Sequence, residues 1–113
     1  MPHPNLIRFY RIRSALTQDE LVDLLDLSQS TLSEMELLAE TTRLETALAL
    51  QVVFGMQPRH MFAALYAKIE TAVMARAAEL DEKLRHKTDA KSQRKLRTLS
   101  AMVKRATTQP DEL

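Results

Sequence analysis

Apolar residues recur at helical spacing along almost the whole chain, and no run alternates as a half-buried strand would. A first helix is predicted over about 5–14, after Pro4, with Ile7, Tyr10 and Leu6 turned inward. The T-Q-D-E run at 17–20 is a capping box, in which the Thr17 hydroxyl accepts from the Glu20 amide while the Glu20 carboxylate reaches back. Leu21, Leu24 and Leu25 then form the buried stripe of a second helix. Asp26 stands where such a turn favours glycine, and Asp visits the left-handed region more readily than most residues. Ser28 caps a third helix, whose Leu32 and Met35 face inward and whose Gln29, Ser30, Ser33 and Glu34 point elsewhere.

A fourth helix is predicted over 44–54, apolar nearly all round and therefore buried, with the single glycine, Gly55, as its C-cap. Pro58 opens a fifth segment that brings Met61 and Phe62 into the core. No breaker follows, so the helix is expected to run straight on through A-A-L-Y. Leu65, Ile69, Ala72, Val73, Ala77, Leu80 and Leu84 mark one long amphipathic helix to about residue 86. After H-K-T-D, with Thr88 or Asp89 as cap, Leu96, Leu99, Met102, Val103 and Ala106 mark a last helix that can fold back on it. The expected organisation is a small helical domain over 1–62, a helical extension over 63–109 that serves as a dimerisation element, and a frayed end at 110–113 beginning with Pro110.

Composition narrows the function classes. With 113 residues, 45% of them hydrophobic, the chain can bury one modest core plus an appended element. It has no Cys, hence no disulfide framework and no thiolate metal site. No apolar run reaches the roughly 20 residues that span a bilayer, and M-P-H-P-N is not a signal-peptide start, so a cytoplasmic protein with no membrane partner is expected. His3, His60 and His86 are too scattered to suggest a metal site, and no nucleophile triad or glycine-rich phosphate loop can be drawn. Neither a cofactor nor an enzymatic activity is expected. The six Met residues sit mostly at helical spacing with leucines, as core residues do.

The net charge of +1 conceals segregation. Residues 14–56 hold eight acids against Arg43 alone, a balance of −7, whereas 83–105 hold nine Lys or Arg against Asp89 alone, a balance of +8. An acidic body with a basic tail creates an oriented, salt-dependent field. The tail K-L-R-H-K-T-D-A-K-S-Q-R-K-L-R at 83–97 reads as a solvated face, as a contact for phosphates, or as a partner for the acidic segment of the same or a second subunit.

Arg11, Leu16-Thr17-Gln18, Leu21, Leu27-Ser28, Leu32-Ser33 and Glu36, followed by Leu44, the helix at 47–54 and Met61-Phe62, carry a resemblance. Residues 6–62 resemble the phage-repressor-like helix-turn-helix family, also called the XRE or Cro family, and this covers about half the chain. The resemblance implies an all-α fold with a five-helix DNA-binding domain. It implies a structural ion pair between Arg11 and Glu36, a phosphate contact from Gln18, and a groove-facing set of Gln29, Ser30 and Glu34 beside Ser28 and Ser33. Gln can read adenine bidentately, and Glu can accept from a cytosine amino group. Arg8, Arg13 and Arg43 are the cations placed to position the DNA backbone. The chain departs from the pattern at Val22, at Asp26 and across L-L-A-E-T-T at 37–42.

The expected function is a sequence-specific transcriptional regulator that binds duplex DNA as a homodimer, for which an antitoxin is one compatible setting. The alternative is a helix-turn-helix that has lost DNA binding and acts as an adaptor or anti-regulator on a protein partner, because acids near phosphates repel them.

Overall fold

The computed structural model describes residues 5–108, which are helical throughout: α1 (Ile7–Arg13), α2 (Gln18–Leu25), α3 (Gln29–Leu37), a short 3-10 turn (Ala39–Thr41), α4 (Leu44–Phe54), α5 (Pro58–Met61), α6 (Ala63–Leu84) and α7 (Ala90–Thr107). Among the described residues there is no strand, and no helix is long and apolar enough to cross a membrane. Pro4, His3 and the end expected to fray at 110–113 lie outside the described residues. The chain divides into two compact units, with the boundary between Lys68 and Ile69, inside α6.

Ile7, Leu21, Leu32, Met35, Leu50 and Met61 are fully buried and form the centre of the first unit, with Val22, Leu25, Ala39 and Phe62 around them. α1 is shorter than the 5–14 expected. Its start is set by Asn5, whose Oδ1 accepts from the Ile7 amide at 3.0 Å and whose Nδ2 donates to the Met35 carbonyl at 2.9 Å. Leu6 stays at the surface, held by its amide to the Met61 carbonyl at 3.0 Å.

The buried stripe of α2 differs from the expected one. Leu24 is 58% exposed, and Val22 takes its place beside Leu21 and Leu25. At 100° per residue Val22 and Leu25 lie about 100° and 40° to one side of Leu21, and Leu24 about 60° to the other. Because α2 packs against both α3 and α4, the side bearing Val22 is covered.

α4 corrects the expectation of burial all round. Only Thr46 and Leu50 are buried, while Leu44, Leu48 and Val52 are 74%, 50% and 85% exposed. These three recur every four residues, so they form one stripe. α4 meets α2 and α5 on its other side, and a unit of this size has no further layer to place over the stripe. Gly55 ends the helix at φ 72°, in the left-handed region that glycine enters without Cβ strain.

The helix does not run straight on past Phe62. Phe62 has φ −118° and ψ 46°, off the helical values, and this separates α5 from α6. Its ring is buried in the core, and the departure from helix lets it point there.

In the second unit Ala77 and Leu84 of α6 are buried with Leu99 of α7, and Leu96 and Met102 pack beside them, so the two helices form a hairpin. Asp89, rather than Thr88, is the cap of α7, accepting from the Ser92 amide at 3.0 Å. Ile69, Val73, Leu80 and Val103 remain exposed, so the expected apolar stripe is only partly covered among the described residues.

Candidate functional site

Two capped helices and a left-handed turn bring the candidate residues together. Thr17 Oγ1 accepts from the Glu20 amide at 3.1 Å and Glu20 Oε1 accepts from the Thr17 amide at 2.9 Å, which closes the capping box and fixes Gln18 as the first residue of α2. Asp26 ends α2 at φ 57° and ψ 53°, the conformation that reverses the chain toward α3. Ser28 then accepts from the Thr31 amide at 3.2 Å, so that Gln29 opens α3 at the surface.

Beneath these starts lies a charged anchor. Arg11 Nε donates to Glu36 Oε2 at 2.8 Å and Nη2 donates to Oε1 at 3.4 Å, while Nη1 donates to the Leu16 carbonyl at 3.3 Å. The two side chains are 12% and 5% exposed, so solvent screens the pair weakly. Gln18 extends the arrangement: its Nε2 donates to Glu36 Oε1 at 3.2 Å, and its Oε1 accepts from Gln29 Nε2 at 3.1 Å. A continuous path of side-chain hydrogen bonds thus runs from the half-buried guanidinium to an exposed glutamine. Fixing one end of Gln29 in this way reduces the rotamer freedom it would lose on meeting a ligand.

The other candidate residues are placed as follows. Ser28 Oγ is hydrogen-bonded to Thr31 Oγ1 at 2.8 Å and to Ser30 Oγ at 3.3 Å, which groups three hydroxyls beside Gln29. Ser33 is half-buried and Glu34 is exposed. Arg8 and Arg13 are exposed on α1, where with Asn5, Phe9, Ile12 and Glu36 they line an open groove of about 580 Å³. The Arg13 guanidinium lies 6.0 Å from the centroid of the Phe9 ring. Arg43 is the N-cap residue of α4 and takes no part in the hydrogen-bond path. The site therefore gathers Arg11, Gln18, Gln29 and Glu36 directly, with Ser28 and Ser30 adjoining Gln29.

Asn5 joins α1 to α3 and was not legible as a site-building residue, because its partner is a backbone carbonyl 30 positions away. Ala15 is a second residue without an advance signal. It adopts φ 62°, and alanine gives no sequence hint of a left-handed bend. Among the described residues no group of His, Asp and Glu is placed to hold a metal ion.

Comparison of the chain with known protein families, curated proteins and solved structures finds no match.

Proposed function

We propose that this protein is a sequence-specific DNA-binding transcriptional regulator with a repressor-like helix-turn-helix, α2 and α3, in a five-helix first unit, and that it acts as a homodimer without enzymatic chemistry. The observation that carries the reading is the Gln29 to Gln18 hydrogen bond at 3.1 Å, anchored through Glu36 on Arg11. It presents an exposed amide, already oriented, at the start of a helix short enough to enter a major groove. A glutamine held this way suits the acceptor and donor of an adenine edge, and Ser28 and Ser30 add hydroxyls that bond to bases or phosphates. Gln18 then stands at the phosphate side, with Arg8, Arg13 and Arg43 as further backbone contacts and Ser33 and Glu34 on the remaining face of α3. The exposed Ile69, Val73 and Leu80 supply an apolar stripe for pairing two subunits, which sets two recognition helices on successive turns of DNA.

The test is a salt-dependent binding assay with the duplex upstream of the protein's own gene against a scrambled duplex. Preference for the former, lost in Gln29→Ala, supports the regulator. Equal binding to both sinks it.

A second reading has its own observation. Asp19, Asp23 and Asp26 recur along one side of α2, are exposed, and enter no ion pair among the described residues. Such a surface suits a basic protein partner. If the chain binds no duplex at low salt but captures a basic protein, and reversal of Asp19, Asp23 and Glu34 to Lys abolishes capture, the adaptor reading replaces the regulator.

A further inference from the structure

α7 carries Lys91, Arg94, Lys95, Arg97, Lys104 and Arg105 and no acidic residue in its eighteen positions. All six cations are exposed, and none enters an ion pair among the described residues, whereas Arg85, just before the helix, is bound to Asp81 at 2.7 Å. Most of the apolar side of α7 is already used, since Leu99 is buried with Ala77 and Leu84, flanked by Leu96 and Met102, and only Val103 on that side stays exposed. At 100° per residue Arg94, Arg97, Lys104 and Arg105 lie about 120° to 160° from Leu99, on the opposite side of the helix, while Lys91 lies about 80° from it and Lys95 about 40° from it, beside Met102. Like charges at this density repel one another, and a polyanion with regularly spaced phosphates relieves that repulsion while releasing its own counterions.

We infer that α7 is a sequence-independent binding face for the phosphate backbone of duplex DNA. Three observations select this ligand. A helix that lies on an anionic membrane needs a free apolar face to insert, and that of α7 is mostly packed against α6, with Val103 alone left exposed on it. Single-stranded nucleic acid is held chiefly by bases stacked on aromatic rings, and residues 69–113 contain no Phe, Tyr or Trp. Three of the six cations are arginines, whose forked donors match phosphate oxygens. The choice of DNA rests on the functional reading above, but the surface is a different one from Gln29.

The test uses the 113-residue chain and a labelled scrambled duplex at 50 and 200 mM salt, with wild type and the quadruple variant K91Q/R94Q/K95Q/R97Q. The four positions are exposed, so the quadruple variant is expected to keep its helicity and melting curve. Wild type should bind steeply with salt. The quadruple variant should bind weakly, with a salt slope shallower by about 3 to 4, so that it loses about a hundredfold less affinity between the two salt concentrations than wild type does. A quadruple variant that keeps wild-type affinity and slope overturns the assignment. So does equal capture of phosphatidylserine vesicles or of a poly-dT strand at matched phosphate concentration. If wild type binds no duplex and the quadruple variant instead loses self-association, α7 belongs to the acidic surface of a second copy. A chain that binds scrambled duplex through α7 but prefers no sequence overturns the regulator and leaves this assignment standing.

Discussion

The Gln29 side-chain amide donates to Gln18 Oε1 at 3.1 Å, joining the first residue of α3 to the first residue of α2. Both residues are thereby held with respect to Glu36, to which Gln18 donates at 3.2 Å. A contact made by Gln18 and one made by Gln29 cannot vary independently, since each uses the other as a brace.

Gln18→Ala should therefore separate stability from recognition. The hydrogen bonds it removes are near the surface, so the expected cost in stability is about 1 kcal/mol. Base preference at the position read by Gln29 should weaken together with overall affinity. Binding that scales down equally for every substituted site, with the preference intact, would show that Gln29 is oriented without Gln18.

Glu36→Ala leaves the Arg11 guanidinium without its carboxylate in a largely covered setting and should destabilise the protein by roughly 3 kcal/mol or more, read by urea unfolding. Glu36→Gln keeps the shape and one acceptor, and should fall between wild type and Ala. An unchanged unfolding midpoint for Glu36→Ala would remove the pair from the architecture of the first unit.

Asp26 is left-handed at φ 57°, a conformation in which any Cβ is strained. Asp26→Gly is expected to raise the melting temperature, by up to about 1 kcal/mol of added stability, and Asp26→Val to lower it by about 1 to 2 kcal/mol. Equal melting temperatures for the two variants would contradict the assigned turn.

Val73 and Leu80 are exposed on α6, and the proposed dimer uses them. The double variant Val73→Glu/Leu80→Glu should run as a monomer in light scattering at concentrations where wild type is a dimer, with its helical content preserved. An unaltered dimer places the interface elsewhere, and the exposed Leu44, Leu48 and Val52 of α4 become the next stripe to substitute.

Asp89 should give α7 an acid-sensitive start. Its carboxyl is held below the ordinary carboxylate range, first by the Ser92 hydroxyl and then by the Ser92 amide. The folded chain thus binds this proton more weakly than the unfolded chain. The cap contributes fully above the ordinary Asp value of about 3.9 and is lost as pH falls through the lower folded value. Helicity measured by circular dichroism should lose a component in that acid range in wild type, and Asp89→Asn, whose amide oxygen caps without titrating, should lack it. Superimposable titrations would dismiss the carboxylate as the cause.

The sequence by itself determined the features that depend on a few neighbouring residues. The capping box of Thr17 and Glu20, the Ser28 cap, the bend at Asp26 and the stop at Gly55 each follow from one side chain's reach or one backbone's freedom. Periodicity likewise marked the helices and the fully buried Leu21, Leu32 and Met35. The tertiary structure decided which part of a broad apolar arc meets a neighbour. Val22 is covered and Leu24 is not because α2 packs against α4 as well as α3, and Leu44, Leu48 and Val52 are bare because the first unit has no layer beyond them. It also decided the partners of Gln18 and Asn5. A polar side chain at a helix start is free to pair with anything within a few ångströms, and what comes that close is set by docking contacts between residues 11, 18 and 30 positions apart, which no local pattern encodes.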